Sequence, residues 1–387
     1  MKITYSKRLK NLPPYLFVEI DKAKRKARQS GRDLIDLGIG DPDLPTPDNV
    51  IERLYQASKD PKNHKYALDQ GTPALRQAIA DWYKNRFRIS LNPETEILPL
   101  IGSKEGIAHM PLAFVNRGDY VLAPNPSYPP YRGSTILCDG KVQDMPLLEK
   151  NDFLPDFKKI PIEARKKAKL IFLNYPNNPT GAIADEGFYR QAIAFASKHN
   201  IIIAHDAAYS EMSYDGYKPM SFLEVEGAKE IGVEFHSLSK TYNMTGWRVG
   251  WVCGNAEIVN GIAKVKSNID SGIFSAIQFA GVEALTGPQE HIQNMRAIYQ
   301  DRRDALCEGL TKIGWKVSKP KATFYVWVNV PKGYDSRGFC AFLLEKADIV
   351  ATPGVGFGEY GEGYIRFALT VVKERIAEAI ERIRKHL

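Results

Sequence analysis

The stretch "KLIFLNYPNNPTGAIADEGFYRQAIAFASKHNIIIAHD" (residues 169–206) decides the fold. It opens on a strand-length apolar run, 169–176, and closes on another, 201–206, with the helical pattern "EGFYRQAIAFASKHN" (186–200) between them. Both runs are apolar on consecutive positions rather than alternate ones. Strands of that kind are buried on both faces, as in a parallel sheet with helices above and below it. The same alternation extends outward. Residues 75–87 and 104–115 read as helices, 119–126 as a strand, and 231–237 and 248–254 as two further strands. The class is therefore α/β with a mostly parallel sheet, in which ligands collect at the carboxyl ends of the strands.

Past about Gly287 the pattern changes. A long charged helix (291–314) leads to the alternating strand "ATFYVWVNVP" (322–331), and the chain closes on "KERIAEAIERIRKHL", where Ile376, Ile380 and Ile383 share one helical face. This is a second, smaller α/β unit. With 387 residues, 44% of them apolar, the chain has the material for two such units.

Composition excludes several function classes. The net charge of +8 is spread along the chain, and its one dense cluster, "DKAKRKARQSGR" (21–32), reads as the polar face of an N-terminal helix rather than a nucleic-acid surface. The four cysteines lie far apart with no CxxC pair, which indicates neither a zinc site nor a disulfide framework; no metal is expected. No apolar run approaches the ~18 residues of a membrane span, and the charged start "MKITYSKRLK" lacks a secretory signal's apolar stretch. A cytoplasmic protein is the expectation. "GFGEYG" (356–361) fits G-x-G-x-x-G, but no βαβ unit surrounds it, so it reads as a flexible loop.

Several strand ends carry polar groups suited to one ligand. Lys240, in "HSLSKTYNMTGWRVGW" (236–251), lies between two apolar strands; it is either a solvated cation or a partly desolvated amine used as a nucleophile. Asp206 ends an all-apolar strand and needs a partner, either a lysine or arginine or a cationic ring nitrogen. Tyr209 follows three residues later. Asn178 stands in a tight turn, either stabilising it or facing a ligand. Gly102, Ser103 and Lys104 begin a helix, where Ser103 serves as cap or the free N–H groups receive an anion. Ser237, Ser239 and Arg248 bring the donors a phosphate dianion requires, and Tyr128 sits in a proline-stiffened loop.

Taken together, "SLSKTYNMTGWRVG", "NYPNNPTG", "HDAAYSE" and "GEGYIRFALT" resemble the pyridoxal-phosphate aminotransferases of fold type I, class I/II, over almost the full chain. Within that family, "LPPYLFVEID", "NHKYALDQG", "IGSKEGIAH" and "GVGFGEYGEGYIR" are most similar to LL-diaminopimelate aminotransferases, with alanine/aspartate or aromatic aminotransferases as the alternative. A carbon–sulfur lyase or a ligand-sensing module on the same fold is a more distant one. The resemblance implies a large domain (47–286) with a mostly parallel seven-stranded-type sheet covered by helices. It also implies a C-terminal small domain (287–387) and an N-terminal arm that joins it (1–46).

The resemblance also implies roles. Lys240 would hold the cofactor, pyridoxal 5'-phosphate, through an imine; Asp206 would pair with its ring nitrogen; Tyr209 and Asn178 would bond its phenolate oxygen; Tyr128 would stack on its ring. Ser103, the backbone at Lys104, Ser237, Ser239 and Arg248 would hold the phosphate, joined by Tyr66 from a neighbouring subunit in a homodimer with shared sites. Arg366 would grip the α-carboxylate of the amino-acid and 2-oxo-acid substrates, with Tyr15, Gly40, Lys104, Tyr128 and Asn178 beside them.

Overall fold

In the computed structural model, residues 1–13, 16–67 and 70–386 are described. Twelve strands follow one another among these residues: β1 (Ile35–Asp36), β2 (Ile97–Leu100), β3 (Tyr120–Asn125), β4 (Lys141–Pro146), β5 (Ala168–Asn174), β6 (Ile202–Asp206), β7 (Gly232–Ser237), β8 (Gly250–Gly254), β9 (Tyr325–Asn329), β10 (Ile349–Val350), β11 (Thr352–Pro353) and β12 (Tyr364–Ala368).

Seven of them form the central sheet in the order β2-β8-β7-β6-β5-β3-β4. Its inner strands β5, β7 and β8 are buried on both faces, as expected of a covered, mostly parallel sheet, while the edge strand β4 is partly exposed. Leu170 and Phe172 of β5 pack on one side with Val121, Phe235 and Val252, while Ile171 and Leu173 pack on the other. Only β8 runs against the rest. Gly250, where β8 begins, sits opposite Leu100, where β2 ends, and Ser237, where β7 ends. Because of that reversal, residues just before β8 meet residues just after β2, β6 and β7 at one edge of the sheet.

The expected strand 248–254 starts two residues late because Arg248 adopts a left-handed backbone (φ 60°) after the turn Thr245–Trp247. The strand expected over 322–331 is shorter for the same reason: Thr323 is held at φ 67°. The covering helices have conventional starts. Asp185 accepts a bond from the Phe188 N–H at 2.8 Å ahead of helix Glu186–His199, which stops at Asn200 in a left-handed conformation.

The remaining strands build two small sheets. β1 pairs with β10 in parallel, and β11-β12-β9 form an antiparallel three-stranded sheet. On the closing helix Lys373–Arg384, Ile376, Ile380 and Ile383 are buried on one face together with Ala379, against helix Glu290–Lys312. Each such side chain contributes about 1.5–3 kcal/mol by leaving water. The segment read as a flexible loop is ordered differently: two 3-10 turns, Gly354–Phe357 and Glu359–Gly361, are tied to the large sheet by the Ser127 N–H donating to Phe357 O at 2.8 Å. Among the described residues no helix is long and apolar enough to cross a membrane.

Candidate active site

At the carboxyl edge of the central sheet lies a cavity of about 560 Å³. Gly40, Ser103, Lys104, Tyr128, Asn178, Asp206, Tyr209, Ser237, Ser239, Lys240, Arg248 and Arg366 all line it. Of the other expected site residues, Tyr15 lies outside the described residues, and Tyr66 is 91% exposed and does not line the cavity.

Asp206 forms the floor. As the last residue of β6 it is carried to the cavity by a strand that is buried along almost its whole length. Its Oδ2 accepts a hydrogen bond from Tyr131 Oη at 2.7 Å, and Oδ1 accepts from the Ala208 N–H at 3.4 Å. Burial raises its pKa; the Tyr131 bond and the nearby imidazoles pull in the opposite direction without cancelling it. Among the described residues no lysine or arginine forms an ion pair with it. A buried acceptor open to the cavity is thus left short of a cation.

Lys240 faces the same space from the short helix Leu238–Thr241. Its Nζ donates to Gly40 O at 3.1 Å and lies 5.5 Å from the centre of the Phe324 ring. Burial pulls its pKa down to about 8, with Asp41 opposing and Arg366 and Arg248 adding to the fall. An ammonium becomes an available nucleophile under such desolvation.

An anion corner completes one end. Gly102, at φ 76°, turns the chain into helix Ser103–Phe114, whose first N–H groups open on the cavity. Ser237 and Ser239 lie opposite, and Arg248 closes the corner, its Nη1 held on Thr245 O at 2.8 Å. A side chain at position 102 would collide with the Arg248 guanidinium, so glycine is required for the close approach.

Arg366 forms the other end, from β12. Its Nη1 donates to Asn178 Oδ1 at 2.8 Å and its Nη2 to Gly38 O at 2.8 Å. The guanidinium lies over the rings of Tyr325 (4.1 Å) and Phe357 (4.7 Å). Such a flanked, planar fork suits a carboxylate held bidentately.

Some participants escaped the sequence reading. Tyr131, fully buried and stacked on Phe172, bonds Asp206; it stands at the start of helix Pro130–Leu137, its ring edge-on to that of Tyr128 at 5.8 Å. Tyr325 bonds Tyr209 through their hydroxyls at 3.2 Å and supports Arg366, and Phe357 comes from the segment read as a loop. Their only sequence signal was an aromatic at an alternating strand position or inside a glycine-rich run.

The residues present fit pyridoxal phosphate: an amine of lowered pKa, a buried carboxylate short of a cation and an anion corner share one cavity. Among the described residues no cluster could hold a metal ion.

Comparison with known proteins agrees with this arrangement. The family model for aminotransferase class I and II matches residues 32–383. A protein of Halothermothrix orenii named LL-diaminopimelate aminotransferase is 56% identical, with 97% of each chain covered. One of Moorella thermoacetica with the same name is 53% identical, covering 99% of this chain and 98% of its own. Among solved structures, substrate-bound BacF of Bacillus subtilis superposes with a TM-score of 0.95 at 42% identity, covering 100% and 98% of the two chains. A Thermus thermophilus aspartate aminotransferase double mutant does so at 0.93 and 29%, over 100% of both.

Proposed function

The chain belongs to the class I and II aminotransferases, and on that premise we propose that it uses pyridoxal 5'-phosphate to move an amino group between LL-2,6-diaminopimelate and 2-oxoglutarate. It is an aminotransferase. The relatives named LL-diaminopimelate aminotransferase support the choice of substrate and a place in lysine synthesis. The single observation that carries the cofactor is that Asp206 and Lys240 line one cavity without pairing: a buried carboxylate without a cation, and an amine brought down to about 8.

When bound, pyridoxal phosphate supplies an aldehyde that takes the amino group and a ring that accepts the electron pair left at the substrate Cα. The chain's own residues do the rest. Asp206 would accept from the ring nitrogen and keep it protonated. Ser103, Ser237, Ser239, Arg248 and the N–H groups at Lys104 would hold the phosphate, so that the cofactor would stay when Lys240 lets go of it. Lys240 would then serve as the base that takes the substrate Cα proton and as the acid that returns it. Tyr209 and Asn178 would bond the phenolate oxygen, and Tyr128 would cover the ring. Arg366 orients the α-carboxylate from the opposite end, with Gly40, Lys104 and Tyr15 beside the substrate.

Residues 47–286 are proposed as the cofactor-binding unit, with 1–46 and 287–387 forming the smaller one. A homodimer with shared sites is proposed as well, and the exposure of Tyr66 supports it, because that ring is free to reach a neighbour's phosphate. The proposed setting is the cytoplasm, whose reducing conditions suit four free cysteines.

Purified protein supplied with pyridoxal phosphate develops a visible absorption band that Lys240→Ala abolishes; a wild type that never takes colour rejects the cofactor. A panel of amino donors with 2-oxoglutarate then tests the substrate. Strong turnover of alanine or aspartate without turnover of LL-diaminopimelate rejects it.

A further inference from the structure

The strand positions before Asp206 and Ser237 point through the sheet to its far face. There His205 and Glu234 stand opposite each other on β6 and β7, both wholly buried. Glu234 Oε2 accepts from His205 Nδ1 at 2.9 Å and from the Phe222 N–H at 2.8 Å. Its Oε1 accepts from Tyr83 Oη, Ser221 Oγ and His236 Nε2, each at 2.8 Å. His205 Nε2 meets Tyr189 Oη at 3.0 Å.

Five hydrogen-bond partners converge on its two oxygens, an arrangement that favours the ionised carboxylate. Burial opposes this, but the bonds from His205 and His236 outweigh it and hold the group far below the usual carboxylate range. An ionised carboxylate with no exposure needs a compensating positive charge. The other titratable groups facing the cluster are Tyr83, Tyr189, Glu224 and Cys253, none of them basic, so the two imidazoles are the only basic side chains in contact with the carboxylate among the described residues. None of the catalytic roles uses this cluster. Apolar side chains would fill the same space at lower cost in desolvation.

We propose that His205, tied to Glu234 and Tyr189, is a positioning residue for Asp206: it fixes the end of β6 from behind and keeps Asp206 an ionised acceptor toward the ring nitrogen, an inference that rests on the pyridoxal phosphate reading. The two imidazoles also act on Asp206 through the sheet, lowering its pKa against the larger effect of burial.

The test compares holoenzyme carrying His205→Phe, His205→Asn and, as a control for lost buried hydrogen bonding, Tyr214→Phe, whose hydroxyl donates to Thr323 O away from the cluster. Asparagine retains a donor toward Glu234 but has no basic ring nitrogen. Both His205 variants are expected to move the acid limb of kcat, and the pH midpoint of the visible band, upward by roughly half a unit to one unit. His205→Phe also loses kcat by about 10–100-fold with KM for the amino donor little changed. Tyr214→Phe lowers the melting temperature alone. Should His205→Phe fail to fold, His205→Asn decides. His205 variants that melt earlier yet keep wild-type pH midpoints and kcat per loaded site overturn the proposal. A wild type that takes no colour instead overturns the cofactor reading, and this inference with it.

Discussion

Arg366 Nη1 donates to Asn178 Oδ1 at 2.8 Å, joining a strand of the three-stranded sheet to the turn that follows β5 of the central one. Both groups are buried. Arg366→Lys keeps the charge but loses the planar fork and its support between Tyr325 and Phe357. KM for the amino donor is expected to rise about 100-fold, because a compact ammonium cannot bind a carboxylate bidentately. The visible band on loading with pyridoxal phosphate stays. Steady-state kinetics beside an absorption spectrum check both halves.

Lys240 gives a pH dependence of stability. Its folded pKa, about 8, lies below its unfolded value near 10.4, so the buried ammonium costs stability at neutral pH. That cost disappears as pH rises from about 8 to about 10.4, where the folded chain has lost the proton and the unfolded chain still holds it. Lys240→Met is expected to stabilise the cofactor-free protein at neutral pH by at most ~3 kcal/mol and to flatten its rise in stability over that window. Urea unfolding at a series of pH values measures this.

Gly102→Ala strains a backbone held at φ 76° and drives a methyl group into the Arg248 guanidinium. Displacing Arg248 from the anion corner is expected to weaken pyridoxal phosphate binding about 10–100-fold, or ~1.4–2.8 kcal/mol. Titration of cofactor-free protein, followed by absorbance, reads the dissociation constant.

Behind that corner, the fully buried Lys266 bridges Glu105 at 3.0 Å and Asp270 at 2.7 Å, while Glu105 Oε2 accepts from the Ile101 N–H at 2.5 Å. Lys266→Met strands two carboxylates. The expected loss is about 3–5 kcal/mol at neutral pH. It shrinks in mild acid, because burial already raises the Glu105 pKa and removing the lysine raises it further, so the carboxyl takes up a proton. Denaturation midpoints at the two pH values compare directly.

The central sheet was legible because its strands are apolar at consecutive positions, a pattern that few other arrangements tolerate. Lys240, Asp206 and Arg248 were legible because charged residues at the ends of such strands conflict with burial. Tyr131 and Tyr325 were not. An aromatic at a strand or helix position satisfies the core as well as it serves a site, and nothing local separates the two uses. Phe357 was hidden more deeply, since glycine spacing around it suggests mobility until the contact with Ser127 is seen. His205 and the pair Glu234 and His236 fall in two strands whose apolar character dominates the pattern, and the further donors to Glu234 come from Tyr83, Ser221 and Phe222, all distant in sequence or beyond a turn.

The acceptor under Lys240 has a consequence for synthesis. Gly40 belongs to a segment that begins at Ile35 and is held in place by residues made last: Ile35 pairs with Ile349, Thr352 Oγ1 donates to Gly38 O at 2.7 Å, and the Ala368 N–H donates to Leu37 O at 2.7 Å. A chain still on the ribosome, with its central sheet folded and Lys240 already emerged, has neither that segment seated nor Arg366 in place. The last contacts of the segment beneath Lys240 therefore wait for residues 349–368, more than a hundred positions after that lysine.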